Sequence, residues 1–114
     1  MQYALLIYTK PGTYDSLSAA EREALSVEYY ALRDEPGMLG GAALQPVTTA
    51  TTIRLADGRP LVTDGPFADT KEVFGGYYLY EADNLDQAIE MAGRIPALRI
   101  GGTIEVRPLL GKAS

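Results

Sequence analysis

The chain has no cysteine and no histidine. Without cysteine there is no disulfide, no thiolate nucleophile and no thiolate-held metal or iron–sulfur cluster. Without histidine the usual general base near neutral pH is gone, with the commonest zinc ligand and the proximal ligand of most haem proteins. Serine–histidine–aspartate and cysteine–histidine devices are excluded. Acid–base chemistry, if there is any, must use Asp, Glu, Lys or Tyr. No cofactor and no metal is expected.

Positive charge is also scarce. Ten Lys and Arg stand against 15 Asp and Glu, a formal net charge of −5. An acidic chain gains little from a phosphate backbone, so direct nucleic-acid binding is not expected. No apolar run approaches a membrane span, so no membrane partner is expected either. The start, MQYALLIYTKPG, lacks a basic leader and a small-residue cleavage site, and reads as a strand rather than a signal peptide. The expected location is the cytoplasm. The 114 residues suit one domain over 1–114, large enough to hold a core without staples.

Periodicity supplies the elements. Tyr3 to Thr9 is a strand with Tyr3, Leu5 and Ile7 on one face and Ala4, Leu6 and Tyr8 on the other. A strand apolar on both faces belongs in the middle of a sheet. Ser18-Ala19-Ala20-Glu21 is a capping box opening a helix to about Arg33, with Ala20, Ala24, Val27 and Ala31 as its apolar stripe. Met38 to Pro46 reads as a strand. Thr49 to Leu55 and Leu61 to Thr63 form a hairpin about Asp57-Gly58, where both positions tolerate positive φ. Val73 to Glu81 is a further strand. Asn84 and Gln87 open a second helix, with Leu85, Ala88, Ile89 and Ala92 inward and Pro96 as its stop. Gly102 to Leu109 is the last strand, with Ile104 and Val106 on one face and Thr103, Glu105 and Arg107 on the other.

With the hairpin set aside the order is βαββαβ. The expected fold is α+β: a ferredoxin-like antiparallel sheet with two helices on one face and an inserted hairpin. The sheet face away from the helices carries apolar and tyrosine side chains, an uncommon exposure for a monomer. A second copy related by a two-fold axis is the simplest cover. The expected partner is therefore the chain itself, packed sheet to sheet as a dimeric α/β barrel.

Candidate chemistry centres on TDGPFADTKE, residues 63–72, which joins two strands. Asp64 precedes Gly65-Pro66. It serves either as an acceptor for the turn's amides or as a general base or ligand anchor. Lys71 and Glu72 form either a solvated pair or, with Asp64, part of a site in which Lys71 holds a carboxylate or moves a proton. Glu105 and Arg107 share the open face, as an ion pair or with Arg107 gripping a carboxylate. Tyr8, Tyr77 and Tyr78 are read as polar tips on the sheet, with the tyrosines of GGYYLY on both of its faces, packed at an interface or orienting a ligand. Phe67 is expected to be buried with Pro66 as an anchor. Gly75-Gly76 marks a bulge or a close approach. The set assigned to chemistry is Asp64 and Lys71; the set assigned to ligand contact is Tyr8, Gly65, Pro66, Glu72, Tyr78, Glu105 and Arg107.

The blocks MQYALLIY, LQPVTTATTIR, VTDGPFADTKE, GGYYLYEADNLDQAIEMA and IEVRPL occupy most of the chain. In this order the chain resembles the DGPF group of the YCII-related domain family. The resemblance implies a ferredoxin-like fold and a dimer packed through strand faces. Some members look like accessory proteins of extracytoplasmic-function sigma factors, and some carry a transcription-initiation label. Relatives outside the DGPF group pair a histidine with an aspartate in a cleft. Haem-dependent relatives of similar barrel shape use a histidine ligand. Neither can be carried over to a chain without histidine, and only Asp64 has a motif-level match.

Two functions stay open at this level. One is a small-ligand or enzyme-like cleft near the DGPF loop, taking a small polar molecule and working without cofactor. The other is a non-catalytic regulatory or interaction module.

Overall fold

A computed structural model describes residues 1–113. Its strands are β1 (Gln2–Thr9), β2 (Met38–Ala43), β3 (Thr51–Ala56), β4 (Arg59–Asp64), β5 (Val73–Glu81) and β6 (Thr103–Pro108). The helices are α1 (Ala19–Leu32) and α2 (Leu85–Ala92), and short 3-10 turns lie at Val47–Thr49 and Pro96–Ile100. Four strands form one antiparallel sheet in the order β2-β5-β1-β6; β3 and β4 pair only with each other. Without that hairpin the connectivity is the ferredoxin-like split βαβ. Among the described residues no helix is long and apolar enough to cross a membrane.

The alternation expected of the first strand is present. Tyr3, Leu5, Ile7 and Thr9 are buried beneath the helices, while Gln2, Ala4, Leu6 and Tyr8 lie half-covered on the other face. Leu5 and Ile95 anchor the core, with Tyr3, Tyr80, Ala88, Met91 and Ala97 around them. A fully buried side chain of that size stabilises the fold by about 1.5–3 kcal/mol.

Both helices form where their caps place them but roll away from the expected stripes. In α1 the reciprocal Ser18–Glu21 capping box is present. Its buried residues are Leu25 and Leu32, with Tyr29 half-buried, while Ala20, Ala24, Val27 and Ala31 face solvent. Leu25, Tyr29 and Leu32 follow the i, i+4, i+7 spacing and remove more apolar area than alanines, so they set the rotation. In α2, capped by Asn84, the inward residues are Ala88, Met91 and Ala92; Leu85 and Ile89 are exposed. Small Ala88 and Ala92 let the helix lie close to the sheet, and Met91 fills the space beside them. The helix ends at Ala92, and Pro96 opens a 3-10 turn instead of stopping α2. Its missing amide costs nothing at a first turn.

The Gly75-Gly76 pair has both meanings expected of it. Ile7 pairs with Gly76 but Tyr8 with Phe74, so Gly75 is the extra residue of a bulge. The bulge re-aims Phe74 onto the open face, against Tyr8 and Tyr77. A Cβ on Gly76 would lie 2.8 Å from the Ala42 carbonyl oxygen, so only glycine lets β2 approach β5 there.

The β3–β4 hairpin is an arm. Asp57 (φ 52) and Gly58 (φ 76) form the two-residue turn read from the sequence. Cross-strand pairs place Ile53 with Val62, Leu55 with Pro60 and Thr51 with Asp64 on one face. Arg54, Ala56, Arg59 and Thr63 occupy the other. Across both strands only Thr52 is even partly buried. The arm accounts for a Cα radius of gyration of 15.9 Å, against about 13 Å for a compact domain of this length.

Candidate functional site

The expected site residues fall in three places. The first is the arm and its exit loop. Asp64 ends β4 on the arm's apolar face, exposed, and its carboxylate accepts no hydrogen bond among the described residues. The turn is closed without it: the Gly65 amide donates to the Ala50 carbonyl at 2.7 Å, and the Thr52 hydroxyl donates to the Gly65 carbonyl at 2.7 Å. Gly65 takes φ +92, which explains glycine here. Pro66 and Lys71 are exposed. Phe67, expected to be buried with Pro66, is 75% exposed. Its carbonyl is held by Arg54 at 3.2 Å, but its ring has no cover because the arm beside it has none.

The second place is the open sheet face. Register sets Arg107 opposite Ala4, Glu105 opposite Leu6 and Thr103 opposite Tyr8. Glu105 and Arg107 approach to 4.0 Å, both well exposed. Glu72 is tied to this edge by the Thr103 hydroxyl, which donates to its carboxylate at 3.1 Å. Tyr8, Phe74 and Tyr77 form an aromatic row, with ring centroids 5.7 and 6.4 Å apart. Tyr78, also in the ligand-contact set, is not on this face. The side-chain period of two turns it to the helix side, where it is buried.

The third place holds a concavity. A cavity of about 340 Å³ lies between α1 and the sheet. Its floor is Ile7, Leu25, Ala43 and Leu44, with Gly75 and Gly76 contributing bare backbone. Its rim carries Tyr14, Arg22, Ser26, Tyr29 and Arg33. Of the ligand-contact set, only Tyr78 lines it; Asp64, Gly65, Pro66, Lys71, Glu72, Glu105 and Arg107 do not. Sequence reasoning missed the rim. Arg22, Ser26, Tyr29 and Arg33 recur at i, i+4, i+7 and i+11, one stripe of α1 over three turns. Read as polar surface, that stripe drew no attention.

The cavity exists because α1 is propped rather than packed. Fourteen residues of helix bury only Leu25 and Leu32. The prop is Tyr78, whose hydroxyl donates to the Tyr29 carbonyl at 2.7 Å. That carbonyl is free because the helix tightens at its end: the Arg33 amide bonds to Tyr30 instead. The Tyr14 and Tyr29 hydroxyls meet at 3.0 Å. Burial drives the Tyr29 hydroxyl far above the ordinary tyrosine range, and its bond with Tyr14 adds to the rise. Burial also raises Tyr78, with Arg33 pulling the other way. Both therefore stay protonated, donating hydrogen bonds and unable to act as bases near neutral pH. Arg33 lies over the Tyr30 ring, 4.8 Å from its centroid.

An antiparallel ferredoxin-like sheet with two helices on one face, a cavity under the first helix and a projecting arm defines the structural class. The profile of the YCII-related domain matches residues 1–111. An uncharacterised protein of Rhizobium meliloti (strain 1021) is 39% identical over 114 residues, covering 96% of this chain and 92% of the relative. The chain belongs to the YCII-related domain family.

Proposed function

We propose that the protein is a cytoplasmic homodimer that binds a small organic molecule in the cavity under α1 and does not turn it over. The observation that carries this reading is the cavity itself. Its volume sits at the lower end of ligand pockets, about 300–1,000 Å³, and its apolar floor with a few convergent polar groups is their usual composition. No Asp, Glu or Lys lines it, and its deepest tyrosines are held protonated. Nothing there can abstract a proton near pH 7, so binding is better supported than acid–base chemistry. An acid–base reading would run through Asp64 and Lys71, which lie outside the cavity.

The dimer reading draws on two uncovered surfaces, the row of Tyr8, Phe74 and Tyr77 on the sheet and the row of Ile53, Leu55 and Val62 on the arm. A two-fold partner would cover both, and Asp64 would then lie at the edge of an interface. The DGPF group assignment rests on Asp64-Gly65-Pro66-Phe67, and the cytoplasmic one on the cysteine-free composition.

The test is a fragment screen by amide chemical shifts on the full chain, repeated with Ala43→Phe. Ala43 pairs with Gly76 on the helix side, so the new ring occupies the cavity. Hits should perturb amides of α1 and of residues 75–78 in the wild type and be lost in the variant. Hits that survive the substitution unchanged would place the binding elsewhere and end the reading.

A further inference from the structure

Most arginines of this chain are already engaged. Arg94 pairs with Glu35, Arg99 with Glu28 and Arg107 with Glu105, while Arg54 donates to the Phe67 carbonyl. Among the described residues Arg22, Arg33 and Arg59 have no carboxylate partner. Arg59 is on the arm; the other two both line the cavity. This happens in a chain with five more acids than bases, none of whose acids lines that cavity. A random scatter of charge would put carboxylates there first. The space under α1 is instead a positive recess in a negative molecule, and apolar walls strengthen the field inside it.

The two guanidiniums are not equivalent. The Arg33 guanidinium carbon lies 4.8 Å from the Tyr30 ring centroid, a cation–π contact, and its N–H donors make no side-chain hydrogen bond to another described residue. A guanidinium with free donors offers a fork for two parallel hydrogen bonds to a carboxylate. Arg22 lies eleven residues earlier on the same stripe, about 16 Å away along the axis. It adds positive potential at the far end. Between them Ile7, Leu25, Ala43 and Leu44 present only hydrocarbon, and the Tyr14–Tyr29 hydroxyl pair supplies one neutral hydrogen-bonding post.

Resting on the binding role proposed above, we infer that the ligand is a small organic carboxylate with an apolar body. Its carboxylate is gripped by Arg33 and its body lies on the Ile7–Leu25 floor. The arrangement selects against cations and gives no special place to a neutral amide of the same shape.

The experiment uses the full-length chain and three probes of one size: 3-phenylpropionate, 3-phenylpropionamide and 3-phenylpropylammonium. Affinities come from amide shift titrations. The carboxylate should bind at least about tenfold more tightly than the amide, the usual worth of a hydrogen bond to a charged group, and the ammonium should bind more weakly than either. Arg33→Gln should bring the carboxylate down to the level of the amide and leave the amide unmoved. Arg33→Lys, which keeps the charge and loses the fork, should fall between. Equal binding of carboxylate and amide, or a carboxylate affinity indifferent to Arg33→Gln, overturns the inference while leaving the cavity as a site. If none of the three moves the cavity amides at millimolar concentration, the binding role itself fails. The near-ultraviolet circular dichroism of each variant distinguishes a lost contact from a lost fold.

Discussion

Two antiparallel sheets in this chain obey the same alternation and meet opposite fates. In the four-stranded sheet the row Tyr3, Leu5 and Ile7 is sealed beneath two helices. In the arm the row Ile53, Leu55, Pro60 and Val62 is bare, with Leu55 75% exposed. The pattern of side chains is equally clear in both; what differs is cover. An isolated two-stranded hairpin is marginal in water at best. The arm therefore depends on something beyond its own hydrogen bonds, and a second copy is the cover we propose.

The largest effect should come from the sealed sheet. Leu5 is 0% exposed in the centre of β1. Leu5→Ala should destabilise the chain by about 3 kcal/mol, through lost transfer energy and the cavity left behind. That corresponds to a fall of roughly 15 °C in melting temperature for a domain of this size. The loss should not depend on protein concentration, because the contacts are made within one chain. A loss under about 1 kcal/mol would mean that the β1 face is not the core.

The arm should answer differently. Replacing Ile53 and Val62 together by serine removes two directly opposed apolar side chains from an exposed face. In an isolated chain such surface changes stay within about 0.5 kcal/mol. If a second copy covers the face, each lost side chain costs about 1.5 kcal/mol or more of association, so the dimer should weaken at least a hundredfold. Sedimentation velocity across a dilution series reads this directly. The wild type should be dimeric at micromolar concentration and the variant monomeric, with near-ultraviolet circular dichroism of the same shape. All eight tyrosines lie outside the arm, so that signal reports the folded body and not the hairpin. A wild type that sediments as a monomer would leave the arm's exposed row without the role given to it.

The same contrast explains how much could be read from the residues. The order of elements along the chain, the Ser18 and Asn84 caps, the Asp57-Gly58 turn and the Gly75 bulge are local signals, and each stands where it was expected. Helix rotation is not local. Alanine stripes in α1 and the Leu85–Ile89 pair in α2 satisfy the helical period as well as the true inward residues do, and only packing against the sheet separates them. Consecutive tyrosines at 77 and 78 must point to opposite faces, but the pair alone cannot reveal which of them points inward. The cavity was hidden for a related reason. It is made by distance, a helix held off the sheet by the Tyr78 hydroxyl, and its polar rim is spaced like an ordinary solvated helix face. DGPF drew attention instead because Asp, Gly and Pro are dense there, and its backbone bonds and positive φ account for Gly65 without any ligand.

The smallest expected effect sharpens the comparison through pH. Three carboxylates of the helix-covered half, Glu35 half-buried and the other two exposed, are held below their ordinary value of 4.5. Glu35 is lowered first by its hydrogen bond from Arg94, Glu81 by its bond from the N-terminal amine, and Glu21 by the Ser18 amide of the capping box. A lowered folded pKa means the charged form is favoured by folding. Its contribution is complete above the unfolded pKa and is lost as pH falls through the folded one. Because all three are reached and screened by solvent, the loss should be gradual and modest. Tyr29 and Tyr78 have the opposite sign: burial raises both above 10.0, so their contribution is complete below about pH 10 and fades at higher pH. The urea midpoint followed by tyrosine circular dichroism should thus be level between about pH 5.5 and 7, sag below about 4.5 and fall again above about 10. Glu35→Gln should flatten part of the acid limb and leave the alkaline one alone. A midpoint that instead slopes across the level window would require a buried group titrating near neutrality, and the ionisable side chains of the described core are tyrosines.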